Sequence, residues 1–558
     1  MNLEPGNFKD SLARITEKLK EERIVERIWQ KDYTIWSENP DEISNRLGWL
    51  HSPEFTLNSI EEINSFVQSV LDDGFTDVLL MGMGGSSLAP EVFSRIFETK
   101  NGYLNLHILD STHPEAVIGY EKKLDLSKTL FIVSTKSGGT VETISFMKYF
   151  YNVVSTMSGK ENAGKQFAAV TDPGSGLEQM AGDLNFRKIF LNDPDIGGRY
   201  SALSFFGMVP AALIGVDLIK LLNRASEMVK ATKISGSGIS QNSAAILGLM
   251  IGQLACEGRD KITLFASEKF SSFGAWIEQL IAESTGKSGK GILPVDLEPV
   301  GGLSEYSKDR IFVFFKLSGD PSFDNMIDML KKADHPVIEI DLNDLYALGK
   351  EFFRWEFATA VAGWVMNIQP FDQPNVEQAK VIARNMMKEY RANGKLPELS
   401  SFVEKDGVKV YNSVGGANPA EMMQNFLSHA VPGKSYVAIQ AYLKPDPAVW
   451  EALQNMRRKI LKRFKVATTL GYGPRFLHST GQLHKGDAAN GLFIQIIADA
   501  ENDLPIPDEA GSSKSTITFG VLIKAQALGD RQALLDNGRK VITVDLGKNV
   551  NNGLSALI

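Results

Sequence analysis

The chain has 558 residues, 43% hydrophobic and 23% charged, with a formal net charge of −8. This is the composition of a multidomain globular protein, and it excludes a disordered polyelectrolyte. No dense Lys/Arg block occurs, so no nucleic acid or anionic membrane is expected as a partner, and a single cysteine, Cys256, excludes a disulfide framework and a cysteine-rich metal site.

In chain order, MNLEPGNFKDS lacks the basic and apolar regions of a leader. No apolar run reaches the ~18 residues of a membrane span, so a cytoplasmic location is expected. Residues 7–36 read as a helical preface. SIEEINSFVQSVLDDG is an amphipathic helix and TDVLLMG a strand. LNLHILD, TLFIVST and QFAAVTD are further strands, with the helix VETISFMKYFYNVV before the last. Such alternation predicts a parallel sheet covered on both faces.

A second alternating stretch contains the strands KITLFAS, RIFVFFKL and PVIEIDL, then two long helices around LGKEFFRWEFATAVAGWVMNI and NVEQAKVIARNMMKEYRA. The small-residue apolar pattern around Cys256 predicts a buried, inert thiol. ANGKLPELSS reads as a boundary. Beyond it YVAIQAYL, KVATTLG, GLFIQII, TFGVLIKA and KVITVDL read as strands, and DRQALLDNG as a helix. The expected organisation is 1–55 helical, 56–222 and 223–394 two α/β domains of similar kind, and 395–558 a C-terminal α/β domain.

Five segments carry candidate chemistry. GMGGSS follows a strand and opens a helix; Gly82, Gly84 and Ser87 have dinucleotide-fingerprint spacing with Ser for the last Gly, and Asp110 ends the next strand. No Gly-Lys-Ser/Thr follows, which disfavours a nucleoside triphosphate. STKSGGT places Ser134, Thr135, Ser137 and Thr140 at a helix amino end, a set of donors suited to a phosphomonoester. GGRYS offers Arg199 as a planar cation after two glycines. On local grounds ESTGK, with Glu283, is an ordinary helix end, and FDQPNVEQAK, with Gln373 and Lys380, an ordinary helix start.

Together and in this order the five motifs resemble phosphoglucose isomerase, with paired doubly wound sugar-isomerase (SIS) domains. The resemblance covers residues 60–390. It implies an aldose–ketose isomerase of glycolysis and gluconeogenesis acting on glucose 6-phosphate and fructose 6-phosphate, a homodimer, and no cofactor or metal. It implies Glu283, Arg199 and Lys380 as catalytic, and Gly85, Ser86, Thr135, Lys136, Ser137, Thr140, Gly198 and Gln373 as substrate-binding, with Gly84 and Gly85 letting the backbone approach the sugar. The family's histidine is missing from its usual interval, where only His335 stands. GYGPRFLHSTGQLHKGD near the C-terminus resembles that segment displaced, as in the isomerase half of fused transaldolase–phosphoglucose isomerases. His484 is preferred there over His478.

Overall fold

The structure is a computed structural model and describes residues 1–400, 403–411 and 414–557. The boundary stretch ANGKLPELSS ends at Ser401, outside the described residues. The fold is α/β, built on three large sheets. The first strand, β1 (Asn2–Glu4), precedes the helical preface. The first sheet holds β2 (Asp77–Gly82), β3 (Asn105–Leu109), β4 (Thr129–Ser134), β5 (Phe167–Thr171) and β6 (Lys188–Leu191), all parallel, in the order β3-β2-β4-β5-β6. The second holds β7 (Lys261–Ala266), β8 (Leu293–Val295), β9 (Arg310–Leu317) and β10 (Val337–Leu342), in the order β10-β9-β7-β8; β1 is added antiparallel to β10.

The third sheet contains β11 (Val403–Lys405), β12 (Val408–Tyr411), β13 (Tyr436–Tyr442), β14 (Ala467–Tyr472), β15 (Gly491–Ile497) and, last in the chain, β18 (Lys540–Asp545). A two-stranded hairpin, β16 (Pro505–Ile506) with β17 (Ile517–Thr518), lies between β15 and β18 in sequence. The parallel part of the third sheet runs β18-β15-β13-β14. All three sheets thus share one winding: the first strand sits between the second and the third. Strands such as VLLMG and LFIVS are buried throughout, which is why they read as unbroken apolar runs.

This winding fixes where ligands bind. In a doubly wound sheet the crevice opens at the carboxyl ends of the two strands where chain order reverses. In the first sheet those strands are β2 and β4, and GMGGSS and STKSGGT are the loops that leave them.

Three local expectations fail. TFGVLIKA is not a strand but the start of one helix, Phe519–Asp536, which continues through DRQALLDNG. Thr518 caps it, its hydroxyl accepting from the Val521 amide at 3.2 Å; a short apolar run does not distinguish a strand from a buried helix. The segment 1–55, expected to be helical, opens with the strand β1, although residues 7–36 within it are helical. Cys256 is exposed, because it falls in the last turn of its helix, past the face that packs on Ala347–Met366.

Candidate active site

Phosphate-type donors come from the β4 loop. Thr135 and Thr140 hydroxyls lie 3.0 Å apart, and the Gly139 amide donates to Ser137 Oγ at 3.3 Å. Gly138 has φ +69°, and a Cβ there would come 2.4 Å from the Leu177 amide nitrogen, so glycine is required. No side chain caps the amino end of the 18-residue helix Val141–Ser158 that follows, leaving its first amides and its positive dipole end open. Lys136 is turned away from this set: its ammonium is committed to Asp172 and, at 2.8 Å, to the Pro194 carbonyl. Its expected part in binding by the side chain is therefore withdrawn.

The β2 loop departs from the expectation that Gly84 and Gly85 admit the sugar, because both clearances are filled by protein. A Cβ on Gly85 would lie 1.9 Å from the Gly198 carbonyl oxygen, and one on Gly84 (φ +55°) 2.8 Å from the His478 carbonyl oxygen. Ser86, buried in the same turn, has its carbonyl held by Ser134 Oγ at 3.1 Å. Asp110, where a ribose-binding carboxylate would stand, is instead buried beside Arg475 at 3.2 Å and accepts from Ser87 Oγ. Burial pushes its pKa up to about 6 against the pull of Arg475.

Arg199, Glu283 and Gln373 meet. Arg199 Nη1 is 3.5 Å from Glu283 Oε1 and 3.4 Å from Gln373 Oε1. Its other donors hold Ser284 Oγ at 2.8 Å and the carbonyls of Pro370 and Asp372 at 2.6 and 3.0 Å. Lys287 reinforces the same loop, bonding the Gln369 and Asp372 carbonyls and the Asp372 carboxylate at 2.5 Å. Burial, helped by nearby Arg199, lowers the Lys287 pKa to about 8.

Both histidines of the displaced segment lie in the connection between β14 and β15, in different surroundings. His484 is sealed among Phe493, Tyr436 and Phe476, with Nδ1 3.3 Å from Gln440 Nε2. Burial drives its pKa well below the usual histidine range. His478 instead lines a cavity of about 290 Å³ together with Ser137, Thr140, Glu142 and Lys380. Its Nε2 is 3.0 Å from Glu142 Oε1. Glu142 is fully buried; burial alone would raise its pKa, but His478 and Lys380 pull it below the usual carboxylate value.

Several site residues escaped the sequence reading. Gln526 donates to Glu142 Oε1 at 2.6 Å and accepts from Thr112 Oγ1 at 2.8 Å. Gln279 joins the two halves of the site, donating to Glu283 Oε2 at 3.1 Å and to the His478 carbonyl at 2.8 Å. Lys485 lines the cavity and is paired with buried Asp530 at 2.5 Å. Lys287 stood inside the motif ESTGK and Glu142 two residues past STKSGGT, whereas nothing near Gln279 or Gln526 in sequence marks them.

The family model for phosphoglucose isomerase matches residues 60–292. A glucose-6-phosphate isomerase of Thermosynechococcus vestitus is 30% identical over 412 residues, covering 62% of this chain and 75% of that protein. The chain belongs to the phosphoglucose isomerase family. A probable glucose-6-phosphate isomerase of Methanococcus maripaludis is 28% identical over 390 residues, 62% of this chain and 85% of that one. Among solved structures, a hypothetical protein of Thermus thermophilus shares the fold at TM-score 0.57 and 24% identity, covering 68% of this chain and 96% of that one. A Chlamydia trachomatis glucose-6-phosphate isomerase does so at 0.51 and 18%, with coverages of 67% and 79%. As a member of this family the protein is an isomerase, and its first-sheet loops, Arg199 and Glu283 all fall within residues 60–292.

Proposed function

We propose that the enzyme interconverts glucose 6-phosphate and fructose 6-phosphate, the step shared by glycolysis and gluconeogenesis, through a cis-enediolate. The contact between Arg199 and Glu283, with Gln373 beside it, carries this reading. In it Ser86, Thr135, Ser137 and Thr140 with the open helix end anchor the 6-phosphate. His478 and Lys380, which line the same cavity, open the ring: one takes the anomeric hydroxyl proton while the other protonates the ring oxygen.

Glu283 then removes the C2 proton and returns it to C1, while the hydroxyl proton passes from O2 to O1 in the same direction, so C2 is oxidised as C1 is reduced and the reaction is redox-neutral overall. Arg199 supplies positive charge where the enediolate oxygens become negative. Gln279 fixes the carboxylate relative to the His478 backbone, a separation that a one-base proton shuttle needs held within a fraction of an ångström.

The test is Glu283→Gln. General-base groups are worth about 10² to 10⁴ in rate, so kcat should fall at least about a hundredfold with KM little changed. Transfer of tritium from C2 to C1 should vanish with it. Near-normal turnover, or retained internal transfer, would overturn the assignment.

A further inference from the structure

A second cavity, of about 700 Å³, adjoins the first and shares Gly139, Val141, Arg384 and Met387 with it. Its walls are the helices Val141–Ser158 and Val376–Asn393 and the β16–β17 hairpin. Four cations line it, Lys148, Arg384, Lys388 and Arg391, against one carboxylate, Asp508. That carboxylate is already bonded by Thr516, through its amide at 3.0 Å and its hydroxyl at 2.7 Å.

Lys380, Arg384, Lys388 and Arg391 recur every three or four residues and so form one row along the helix. Like charges at this spacing repel and weaken a helix. In a chain of net charge −8 composition does not require such a row. Lys380 and Arg384 are both compensated by Glu377. Among the described residues Lys388 is in no ion pair, and Arg391 feels Asp508 only at longer range. Between the cations the floor is apolar, with Ile144, Met180, Ile506 and Ile517.

We propose that this groove is a second anion subsite, for phosphorylated small molecules that carry another anionic group. Resting on the reading that Ser137 and Thr140 hold phosphate, one end of such a ligand occupies the hydroxyl loop. Its carbon skeleton crosses the apolar floor and its other anion meets Lys388 and Arg391. At 1.5 Å rise per residue these two lie about 6 and about 10 Å along the helix beyond Arg384, which lines both cavities. Because it takes the loop that the sugar phosphate needs, the ligand inhibits competitively.

Glucitol 6-phosphate and glucitol 1,6-bisphosphate, neither of which can isomerise, differ only in the second phosphate. Calorimetry on the full-length protein should find the bisphosphate bound about tenfold tighter or more, a factor that one charge-assisted contact supplies. In Lys388→Gln/Arg391→Gln the two ligands should bind alike, while kcat and KM for isomerisation and the melting temperature stay put, since both side chains lie outside the reacting site. Equal affinities in the unaltered protein overturn the subsite, and so does a bisphosphate preference that survives the double substitution. Failure of the monophosphate itself to bind would count against the phosphate-loop reading, and the subsite would fall with it. Because binding is read directly, a chain without isomerase activity would still report on the groove.

Discussion

His478 Nε2 lies 3.0 Å from Glu142 Oε1, although the two residues are 336 positions apart and stand in segments that follow strands of different sheets, β4 and β14. A carboxylate at one ring nitrogen fixes the orientation and tautomer of an imidazole and leaves the other nitrogen to exchange protons. His484, with its ring walled in by aromatic side chains, has no such freedom.

The two histidines should therefore separate cleanly. His478→Ala is expected to lower kcat at least about a hundredfold on ring-closed substrate, in line with the loss of a positioned acid–base group. His484→Ala should leave the turnover of folded enzyme nearly intact and lower its melting temperature, since it opens a void beside Phe493. Initial rates paired with thermal melts on both variants decide this; the opposite pattern would return the role to His484.

Gln526 lines the same cavity as His478 and donates to Glu142. Replacing it with Leu removes a 2.6 Å donor from a buried carboxylate, so the Glu142 pKa should rise. The acidic limb of the kcat/KM profile should then move to higher pH, with a loss of about tenfold at neutral pH. Gln526→Glu, which sets a second carboxyl there, should move it further. A structural role alone would lower stability and leave the limb where it was.

Lys287 gives a pH prediction with an internal control. Its pKa is about 8 in the fold against ~10.4 for an ordinary lysine, so between these values the unfolded chain binds more protons. This group's contribution to stability therefore rises with pH across that window. Activity should fall there, because the neutral amine loses its ion pair with Asp372 and loosens the loop carrying Gln373. Asp372→Asn removes a neighbour that raises the Lys287 pKa, so the alkaline limb should shift to lower pH. A limb that stays near 8 would point to another group.

Gly85→Ala tests the interlock of the β2 loop with Gly198. A Cβ 1.9 Å from a backbone oxygen cannot be absorbed by a side-chain rotation, so one of the two loops must move. Overpacking of this kind typically costs about 1 to 3 kcal/mol. Activity should fall more steeply than stability, since the displaced segment is contiguous with Arg199; a variant with unchanged kcat/KM would count against it.

The sequence made the repeating strand–loop–helix plan and the donor-rich loops legible because both are local: an apolar run ends, glycines and hydroxyls follow, a helix starts. Glu283 and Lys380 could be found only through the joint order of five motifs, as each alone looks ordinary, whereas Arg199 stood out locally as a planar cation after two glycines. What stayed hidden depends on contacts between distant segments. The choice between His478 and His484 turns on which ring faces a cavity, and two histidines six residues apart carry no such signal. Gln526 was lost for a different reason, since its apolar surroundings read equally well as a strand. Lys136 looked like an anion ligand until its partner Asp172, 36 residues on, came into view.

Near Gly84 three parts of the molecule touch: the loop after β2, Gln279 from a helix of the second sheet's region, and the His478 carbonyl from the third. None of the three can be in place before the others have docked, and the last site residue emerges from the ribosome only with Gln526. Contacts of such long sequence separation close late in folding. Nascent or truncated chains that already display the complete phosphate loop will thus be catalytically silent, and the appearance of turnover during refolding marks the docking of the third sheet rather than the formation of the first.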